Sequence, residues 1–366
     1  MAGVLVHEWI ARTGGTENVM EVLARAYPSS DIVCLWNDSE GRFDPARVRE
    51  TWLAKTPLRR SKPLVLPFLP TTWRHRPNHD YDWVLMNSHL FAHHARFVGA
   101  DIPRFAYVHS PARYIWTPEF DARGSSLPIR LLGAPFKPLD RRRAQESGAS
   151  YAGNSKFVSQ RIADTWDIES RVVYPPVDVT GIQAHDDWAE QLDGAEHGEL
   201  DALPRGFVLG ASRFIPYKQL DTVIRTGELL GLPVVLAGNG PELPRLQAIA
   251  AATTVPVHFV IAPSHALLRA LYQRAALYVF PAIEDFGIMP VEAMAAGAPV
   301  LVPTVGGATE TVADGVAGAH VDFVSDAEVI AGAARAMATS VADRRARAVQ
   351  FGEERFIDDI RAWVGE

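Results

Sequence analysis

Short apolar segments alternate with helical ones through the second half of the chain, and this alternation constrains the fold more than any other feature. Five apolar runs follow Pro204: GFVLG, VVLAG, VHFVI, LYVF and PVLVP. Uninterrupted runs of Val, Ile and Leu are typical of strands buried on both faces of a parallel sheet that helices cover. We therefore predict a Rossmann-like α/β domain in this half, with its ligand at the carboxyl ends of the strands.

The first half repeats a similar pattern of strand, loop and helix through about residue 180. Its first unit runs from an apolar strand at Val4 through the loop RTGGTE into a helical pattern, and we expect Thr16 to cap that helix. Further apolar segments lie near residues 32–35, 83–86, 105–108 and 172–174. A second Rossmann-like domain is therefore predicted, and two facing domains of this kind would bind a ligand in the cleft between them.

The domain boundaries follow from the distribution of charge. Seven acids and no Lys or Arg lie between Asp186 and Asp201, which is typical of a solvated linker. We therefore expect a first domain at 1–185, an acidic linker at 186–204 and a second domain at 205–349.

The end of the chain predicts one more helix. The segment EERFIDDIRAWVGE places Phe356, Ile360 and Val364 on one helical face. Because an amphipathic helix has to bury its apolar face, we expect residues 350–366 to cross back to the first domain.

Composition excludes several classes of protein. A chain of 366 residues with 48% hydrophobic residues suits two domains, and a net charge of -7 argues against a general nucleic-acid binder. Cys34 is the single cysteine, so no internal disulfide can form and a reducing compartment is expected. The start, MAGVLVHEWI, resembles a buried strand more than a signal peptide. No run approaches the ~20 apolar residues of a membrane span, so we expect a cytoplasmic protein.

The segment EDFGIMPVEAMAAG carries two acids that point to a ligand. Glu284 lies in a predicted loop, and Glu292 lies in a helix expected at Pro290 to Ala296. The start of this helix beside Gly287 would offer free backbone N–H groups to a phosphate. Glu292 could then accept hydrogen bonds from ribose hydroxyls, and Glu284 could reach a sugar hydroxyl. The alternatives are a hydrolase acid pair, a metal site, or a capping glutamate and an unrelated surface acid.

Two cations follow the first strand of the second half. Arg213 and Lys218 lie in SRFIPYKQLD and could bracket a pyrophosphate, or they could be solvated surface charges. The nearby segment AGNGPE is only a fragment of a dinucleotide fingerprint, because the third glycine and a secure matching acid are missing. We therefore reject an NAD-binding interpretation.

The first half offers weaker candidates. Gly14 and Gly15 precede a helix and could close over a phosphate or a sugar, although such turns are often only structural. His109 ends an apolar strand, where ligands bind, or it is a hydrogen-bonded structural residue. His89 and His93 have the spacing of two zinc ligands on one helix, but no clear third ligand appears, so we expect no metal site.

The segment from Arg42 to Arg76 is basic, with nine Lys or Arg against two acids around the apolar run PLVLPFLPTTW. It could contact an anionic or lipid-linked acceptor, or a membrane surface. A loop-rich insertion with solvated charges is the alternative.

In their order and spacing these motifs resemble the retaining GT-B glycosyltransferases, in the large family with two Glu separated by seven residues. The resemblance covers nearly the whole chain through HEW, TGGTE, YVHSPARYIW, AGNSKFVSQRI, VVYPPVD, SRFIPYKQLD, AGNGPE, EDFGIMPVEAMAAGAPV and GGATETVADGVAG. It is strongest to bacterial mannosyltransferases that use GDP-mannose in polysaccharide or glycolipid assembly. The resemblance implies two facing Rossmann-like domains with a cleft between them.

The resemblance also implies a role for each matching residue. Arg213 and Lys218 would bind the diphosphate, Glu292 the ribose and Glu284 the donor sugar. The remaining donor contacts would come from Gly14, Gly15, Val260, Ile261, Phe286, Gly287 and Ile288. His109 would lie beside the transferred sugar, and with Glu284, Arg213 and Lys218 it would form the catalytic set.

The resemblance implies a metal-independent hexosyltransferase without a cofactor, at the inner face of the membrane if the basic segment binds lipid. Its partners would be a nucleotide-sugar donor and a glycan or lipid-linked acceptor, and not nucleic acid. A UDP-hexose is the alternative donor. A non-catalytic sugar-nucleotide or glycan-binding protein, and an enzyme that hydrolyses or epimerises the nucleotide sugar, are alternatives on the same fold.

Overall fold

The chain forms two compact units. The structure, a computed structural model, describes residues 2–365 except 13, 75, 78, 99–100, 118–132 and 134. Unit 1 comprises Met1–Pro176 with Glu354–Glu366, and unit 2 comprises Val177–Glu353.

Unit 1 is built on a parallel sheet, which has seven strands in the described residues and the order β3-β2-β1-β4-β5-β6-β7. The strands are β1 Gly3–His7, β2 Asp31–Cys34, β3 Val48–Glu50, β4 Trp83–Ser88, β5 Arg104–Val108, β6 Ser150–Gly153 and β7 Arg171–Val172. The central strands β1 and β4 are buried along their whole length. That burial explains the apolar runs VLV in β1 and WVLM in β4.

Six described helices of unit 1 lie between the first strand and the end of its main segment. They are α1 Gly15–Ala26, α2 Lys62–Val65, α3 Leu69–Arg74, α4 Arg113–Trp116, α5 Phe136–Glu146 and α6 Lys156–Trp166. Short 3-10 turns lie at Trp52–Lys55, Pro57–Arg60, Leu66–Phe68 and Ala92–His94. Gly14, and not Thr16, is the N-cap of α1. The prediction of a Thr16 cap was wrong, because the Thr16 hydroxyl donates to Glu17 instead.

Unit 2 contains the second parallel sheet, with six described strands in the order β10-β9-β8-β11-β12-β13. The strands are β8 Val208–Ala211, β9 Val234–Gly238, β10 Val257–Ile261, β11 Leu277–Val279, β12 Val300–Pro303 and β13 Ala319–Val321. Each of the five apolar runs predicted from the sequence overlaps one of β8 to β12. The prediction of two Rossmann-like α/β domains is confirmed.

Helices connect the strands of unit 2 along the described chain. They are α7 Val179–Gln183, α8 Gly194–Asp201, α9 Leu220–Leu230, α10 Leu243–Ala250, α11 His265–Arg274, α12 Ile288–Ala296, α13 Ala308–Thr311, α14 Asp326–Ala338 and α15 Val341–Val349. Two 3-10 turns lie at Trp188–Gln191 and Pro216–Lys218.

The acidic stretch at 186–204 differs from the solvated linker that its charge suggested. It forms a 3-10 turn and α8, and it buries Trp188 and Leu200. The Trp188 backbone N–H donates to Gln273 Oε1 at 2.8 Å, and Arg274 donates to the Leu200 carbonyl at 3.1 Å. The apolar side chains of this segment therefore pack against unit 2, and its acidic side chains can still face water.

The C-terminal helix α16, Glu353–Val364, packs in the core of unit 1 as expected. Its buried side chains are Phe356, Ile360 and Trp363, in one cluster with apolar residues of α1 and of the sheet. Trp363 also donates its indole N–H to Ser150 Oγ at 2.9 Å. Val364, which was expected on the buried face, is only half-buried.

Candidate functional site

The carboxyl edge of the unit 2 sheet brings a predicted cation and a predicted acid into contact. Lys218 Nζ lies 2.5 Å from Glu284 Oε1. Lys218 ends the 3-10 turn after β8, and Glu284 lies in the loop after β11, a strand that pairs with β8. The two side chains are 12% and 15% exposed. Neighbouring parallel strands end at the same edge, so residues 66 positions apart in sequence form an ion pair.

Arg213 lies in the same loop as Lys218 but is exposed. Its Nη2 approaches the Tyr217 hydroxyl at 3.4 Å. Within the part of the chain that the structure describes, Arg213 has no carboxylate partner, so its guanidinium can bind an anion from solution. One loop thus presents an arginine fork and a lysine point charge at the sheet edge.

The loop after Glu284 is fixed by a close backbone contact. The Gly307 N–H donates to the Glu284 carbonyl at 2.8 Å. A Cβ on Gly307 would lie 2.1 Å from the Asp285 carbonyl oxygen and 2.5 Å from Phe286 Cα. Phe286 is buried, with its ring 5.7 Å from that of Phe351. The loop that leads into α12 is therefore held from both sides.

The helix α12 begins two residues earlier than predicted. Its N-cap is Gly287, with a φ of 94°, and Ile288 is its first residue. Pro290 was expected at the first helical position but lies in the first turn, where a missing N–H costs no helical hydrogen bond. No side chain caps this end, so its N–H groups are available at the sheet edge beside Glu284.

Glu292 lies on α12 and is half-buried. Burial raises the pKa of its carboxyl to about 7; the positive charge of Arg269 opposes this shift, and the negative charge of Asp178 adds to it. Arg269 itself pairs with Asp178 at 3.0 Å. A carboxyl poised near neutral pH would become a stronger acceptor once a ligand supplied hydroxyl donors.

Val260 and Ile261 end the edge strand β10. Val260 is buried and Ile261 is 44% exposed. The next strand, β9, leads into AGNGPE, where a Cβ on Gly238 would lie 1.9 Å from the Ser212 carbonyl oxygen. The close approach of the loop that carries Arg213 explains this glycine without a dinucleotide.

At the carboxyl edge of the unit 1 sheet, Glu8 is fully buried directly after β1. Its Oε1 accepts the backbone N–H groups of Leu90 at 2.9 Å and Ala92 at 2.8 Å, and its Oε2 lies 3.1 Å from His89 Nδ1. Burial opposes its ionisation, but His89 and the backbone donors outweigh burial and hold the pKa of Glu8 far below its ordinary value. Glu8 therefore anchors the loop after β4.

His109 directly follows β5 and is half-buried. Its Nε2 lies 2.6 Å from Asn87 Oδ1. Burial, together with the nearby His89 and His7, lowers the pKa of His109 to about 3, although Glu8 opposes the shift. The imidazole is therefore neutral at physiological pH. Gly14 and Gly15, at the start of α1, are exposed in the same unit.

His89 and His93 do not share one helix, so the spacing argument for a zinc pair was wrong. His89 contacts Glu8, whereas His93 and His94 donate to Oδ1 of the fully buried Asp140 at 3.0 and 2.8 Å. Side-chain atoms that could coordinate a metal lie within 4.8 Å of one another in two groups of the described residues, one around Glu8 and one around Asp140. In both groups the carboxylate already accepts hydrogen bonds from protein donors.

The basic segment from Arg42 to Arg76 divides into paired cations and an exposed apolar surface. Arg42 pairs with Glu21, Arg49 with Asp31 and Arg59 with Asp38. The large apolar side chains Trp52, Leu64 and Phe68 are 49%, 63% and 43% exposed. None of the helices that the structure describes is long and apolar enough to cross a membrane.

Sequence reasoning missed Asn87 and Glu8. Asn87 joins His109 to α1, and Glu8 shapes the loop after β4. Each is a polar residue at the end of a buried parallel strand, the signal that singled out His109. That signal was available in WVLMNS and VLVHE.

Comparison with known families follows the division of the chain. The Glycosyltransferase Family 4 model matches residues 13–180, and the Glycosyl transferases group 1 model matches residues 200–355. With the two parallel-sheet domains, these matches show that the chain belongs to the GT-B glycosyltransferases and is related to mannosyltransferases.

Individual relatives match only part of the chain. The D-inositol 3-phosphate glycosyltransferase of Mycobacterium avium is 34% identical over 152 residues, which cover 38% of this chain and 36% of that protein. The GDP-mannose-dependent alpha-(1-6)-phosphatidylinositol monomannoside mannosyltransferase of Mycolicibacterium smegmatis is 34% identical over 163 residues, 38% of this chain and 42% of that protein. The matches thus span well under two thirds of these relatives.

Solved structures share the fold along the whole chain. Anabaena Alr3699/HepE in complex with UDP and glucose has a TM-score of 0.70 at 19% identity, covering 99% of both chains. Sucrose-phosphate synthase from Thermosynechococcus elongatus has a TM-score of 0.69 at 17% identity, covering 99% of this chain and 98% of its own. At these identities the similarity concerns the fold alone.

Proposed function

We propose that the protein is a retaining hexosyltransferase that moves a sugar from a nucleotide donor to a hydroxyl of a glycan, glycolipid or lipid-linked acceptor. The observation that carries the proposal is the Lys218–Glu284 contact at the edge where Arg213 and the start of α12 also lie. Two cations and free helix N–H groups suit a diphosphate, and carboxylates suit hydroxyl groups. One sheet edge therefore offers the two chemistries that a nucleotide sugar requires.

Each residue of the edge has a proposed role. Arg213 and Lys218 neutralise the diphosphate, and the backbone of Phe286 to Ile288 donates to the distal phosphate. Glu292 accepts from the ribose, and Glu284 accepts from the donor sugar. The nucleotide base lies against Val260 and Ile261. In unit 1, Gly14 and Gly15 contact a phosphate or a sugar, and His109 contacts the transferred sugar.

The mechanism follows from the charge that develops on the leaving group. As the sugar–oxygen bond breaks, negative charge grows on the nucleoside diphosphate, and fixed cations and N–H groups stabilise that state more than the ground state. The cations at this edge supply the stabilisation without a metal ion. We place the acceptor attack on the face from which the diphosphate departs, with a phosphate oxygen taking the acceptor proton.

GDP-mannose is the proposed donor. This assignment of the donor rests on the sequence motifs and on relatives that are named GDP-mannose-dependent mannosyltransferases. A UDP-hexose is the second candidate, because a neighbour of the same fold was solved with UDP-glucose. Thermal-shift measurements with GDP and UDP separate the two, because a ligand that binds only the native state raises its melting temperature. Stabilisation by UDP and not by GDP would overturn the GDP assignment.

Transfer itself is tested with labelled GDP-mannose and UDP-sugars against a panel of lipid-linked and free glycan acceptors. Product that appears only with an acceptor supports a transferase. Turnover without acceptor would indicate a hydrolase or an epimerase, and binding without turnover would indicate a non-catalytic sugar-nucleotide protein.

We also propose that the exposed surface formed by Trp52, Leu64 and Phe68 contacts an anionic membrane that presents the acceptor. The rings of Trp52 and Phe68 lie 6.1 Å apart, and the exposed Lys55 belongs to the same turn as Trp52. Aromatic rings beside cations suit the interface of an anionic bilayer. Flotation with anionic vesicles should recover the wild type and lose the Trp52→Ser/Phe68→Ser variant. Equal flotation of both proteins, or of neither, would retire this contact.

A further inference from the structure

Asn87 occupies a central position at the carboxyl edge of the unit 1 sheet. It lies on β4, where its register partners are His7 on β1 and Tyr107 on β5. The residue is fully buried. A buried side-chain amide has to satisfy its donors and its acceptor through protein partners, so its contacts define its orientation.

The orientation of the Asn87 amide is fixed by the carbonyl of Thr16. Asn87 Nδ2 lies 3.0 Å from this oxygen, which can only accept a hydrogen bond. A flipped amide would place two acceptors against each other. Nδ2 therefore faces Thr16 in the first turn of α1, and Oδ1 faces the opposite way, toward His109.

The tautomer of His109 follows from that orientation. Because Asn87 Oδ1 can only accept, the hydrogen bond of 2.6 Å to His109 Nε2 requires a proton on Nε2. A neutral imidazole carries one proton, so Nδ1 is then a bare acceptor. In the described residues, Nδ1 of His109 makes no hydrogen bond, and the residue is half-buried.

We propose that Asn87 is a positioning residue that fixes His109 in its Nε2–H tautomer, so that Nδ1 accepts a hydrogen bond from a hydroxyl of the bound sugar. The same amide joins His109 to the first turn of α1, so Asn87 fixes the position of His109 relative to that helix. The inference rests on the proposed function for the identity of the ligand, and on the protein contacts alone for the tautomer.

The other groups around His109 preserve its neutral form. His7 and His89 are close enough to disfavour a positive charge, Glu8 favours one, and the Tyr107 ring lies 5.3 Å from the imidazole. His7 Nδ1 lies 3.2 Å from the Asn87 carbonyl and 3.3 Å from Nδ2, so it contacts the same residue without reaching the His109 ring nitrogens.

Nitrogen NMR of the full-length protein tests the tautomer without any substrate. Histidine labelled with ¹⁵N distinguishes a protonated ring nitrogen from a bare one, and the His109→Gln variant identifies the His109 signals. We expect wild-type His109 to be protonated at Nε2 and bare at Nδ1 at neutral pH. An Nδ1–H tautomer or an imidazolium in the wild type would overturn the inference, whether or not any variant folds.

Two variants then separate positioning from general stability. Asn87→Asp keeps an acceptor for Nε2 and should keep Nε2 protonated, although it gives up the hydrogen bond to the Thr16 carbonyl. Asn87→Ala removes the acceptor and should lose the Nε2–H signature. Asn87→Ala should bind the nucleotide sugar about 5- to 10-fold more weakly and the bare nucleoside diphosphate equally well, as expected for one hydrogen bond. Equal weakening of both ligands would indicate a structural role and contradict the proposal. If the wild type shows the tautomer but transfers no sugar, the proposed function fails and the tautomer assignment stands.

Discussion

Lys218 and Glu284 form an ion pair of 2.5 Å between the ends of two adjacent strands, with both side chains more than four-fifths buried. Each residue compensates the charge of the other in a position where water screens poorly. Lys218 Nζ also lies 5.2 Å from the centre of the Tyr217 ring and 5.5 Å from that of Phe280. The lysine is thus held in place before any ligand binds, which would reduce the entropic cost of ordering it around the proposed diphosphate.

Lys218 is the only lysine between Val177 and Glu353, which allows a direct test by chemical modification. We expect saturating GDP-mannose to slow acylation of Lys218 at least several-fold, because a bound phosphate covers the amine. Peptide mass spectrometry measures the modified fraction, and the exposed Lys55 of unit 1 serves as the control. Equal acylation of Lys218 with and without nucleotide would place the phosphates elsewhere.

Glu292 should make stability depend on pH. Its pKa rises from an ordinary 4.5 to about 7 through burial, so the folded protein holds this proton more tightly than the unfolded chain. The contribution of Glu292 to the free energy of unfolding is therefore complete below pH 4.5. It is lost as the pH rises through 7, by up to about 3 kcal/mol. The Glu292→Gln variant, which does not titrate, should gain stability relative to the wild type over that range. Urea unfolding at several pH values measures the difference, and parallel profiles would refute it.

Gly307 should not tolerate a side chain. A Cβ there would lie 2.1 Å from the Asp285 carbonyl oxygen, so Gly307→Ala has to displace the loop that carries Glu284. We expect lower stability and at least tenfold weaker nucleotide binding, measured by denaturant unfolding and calorimetric titration. Gly198→Ala is the matched control, because Gly198 lies inside α8 with nothing within 4 Å of its Cβ position. A helical alanine there should stabilise by about 0.5–1 kcal/mol, and similar effects of both changes would refute the contact argument.

Asp140 should be a major source of stability in unit 1. Its carboxylate accepts from two imidazoles and from the indoles of Trp116 and Trp166 at 2.7 and 2.8 Å. Removing one partner from a buried ionic network typically costs about 3–5 kcal/mol, so Asp140→Ala should lose that much by urea unfolding. Burial opposes its ionisation, but the two histidines outweigh burial and hold the pKa of Asp140 below its ordinary 3.8. The stabilisation is then lost as the pH falls below 3.8.

The exposed Asp164 is the control for Asp140, because it lies on a helix of the same unit. Asp164→Ala should change the free energy of unfolding by less than about 0.5 kcal/mol. Losses of similar size in both variants would show that the buried network contributes little.

The fold could be predicted wherever a strand is buried on both faces, because such a strand has a continuous apolar sequence. Runs such as VVLAG and PVLVP have no alternative role, so β8 to β12 were found. The edge strands β3 and β13 and the short β6 were missed, because VRE, AHV and SYAG carry no sustained apolar run. The prediction of a solvated linker at 186–204 was wrong because it relied on the charge of the segment and not on its apolar residues Trp188 and Leu200, which are buried.

The candidate site was predictable to the extent that it follows strand ends. Lys218 and Glu284 each follow a predicted strand, so their meeting at one edge was expected in outline. The roles of Asn87 and Asp140 were not predictable, because the partners of Asn87 lie 22 to 80 positions away and those of Asp140 lie 24 to 47 positions away. Hydrogen bonds between residues so far apart in sequence cannot be predicted from local sequence patterns, because they form only when the chain folds.

Sugar transfer by the Lys218→Ala variant tests the central claim most directly. The account predicts that the wild type moves labelled mannose from GDP-mannose to an acceptor. The variant should stay folded by circular dichroism but transfer at least about 100-fold more slowly, because a fixed cation no longer stabilises the departing diphosphate. Arg205→Ala, which removes an exposed cation of unit 2, should transfer at the wild-type rate. Near-normal transfer by Lys218→Ala would contradict the account.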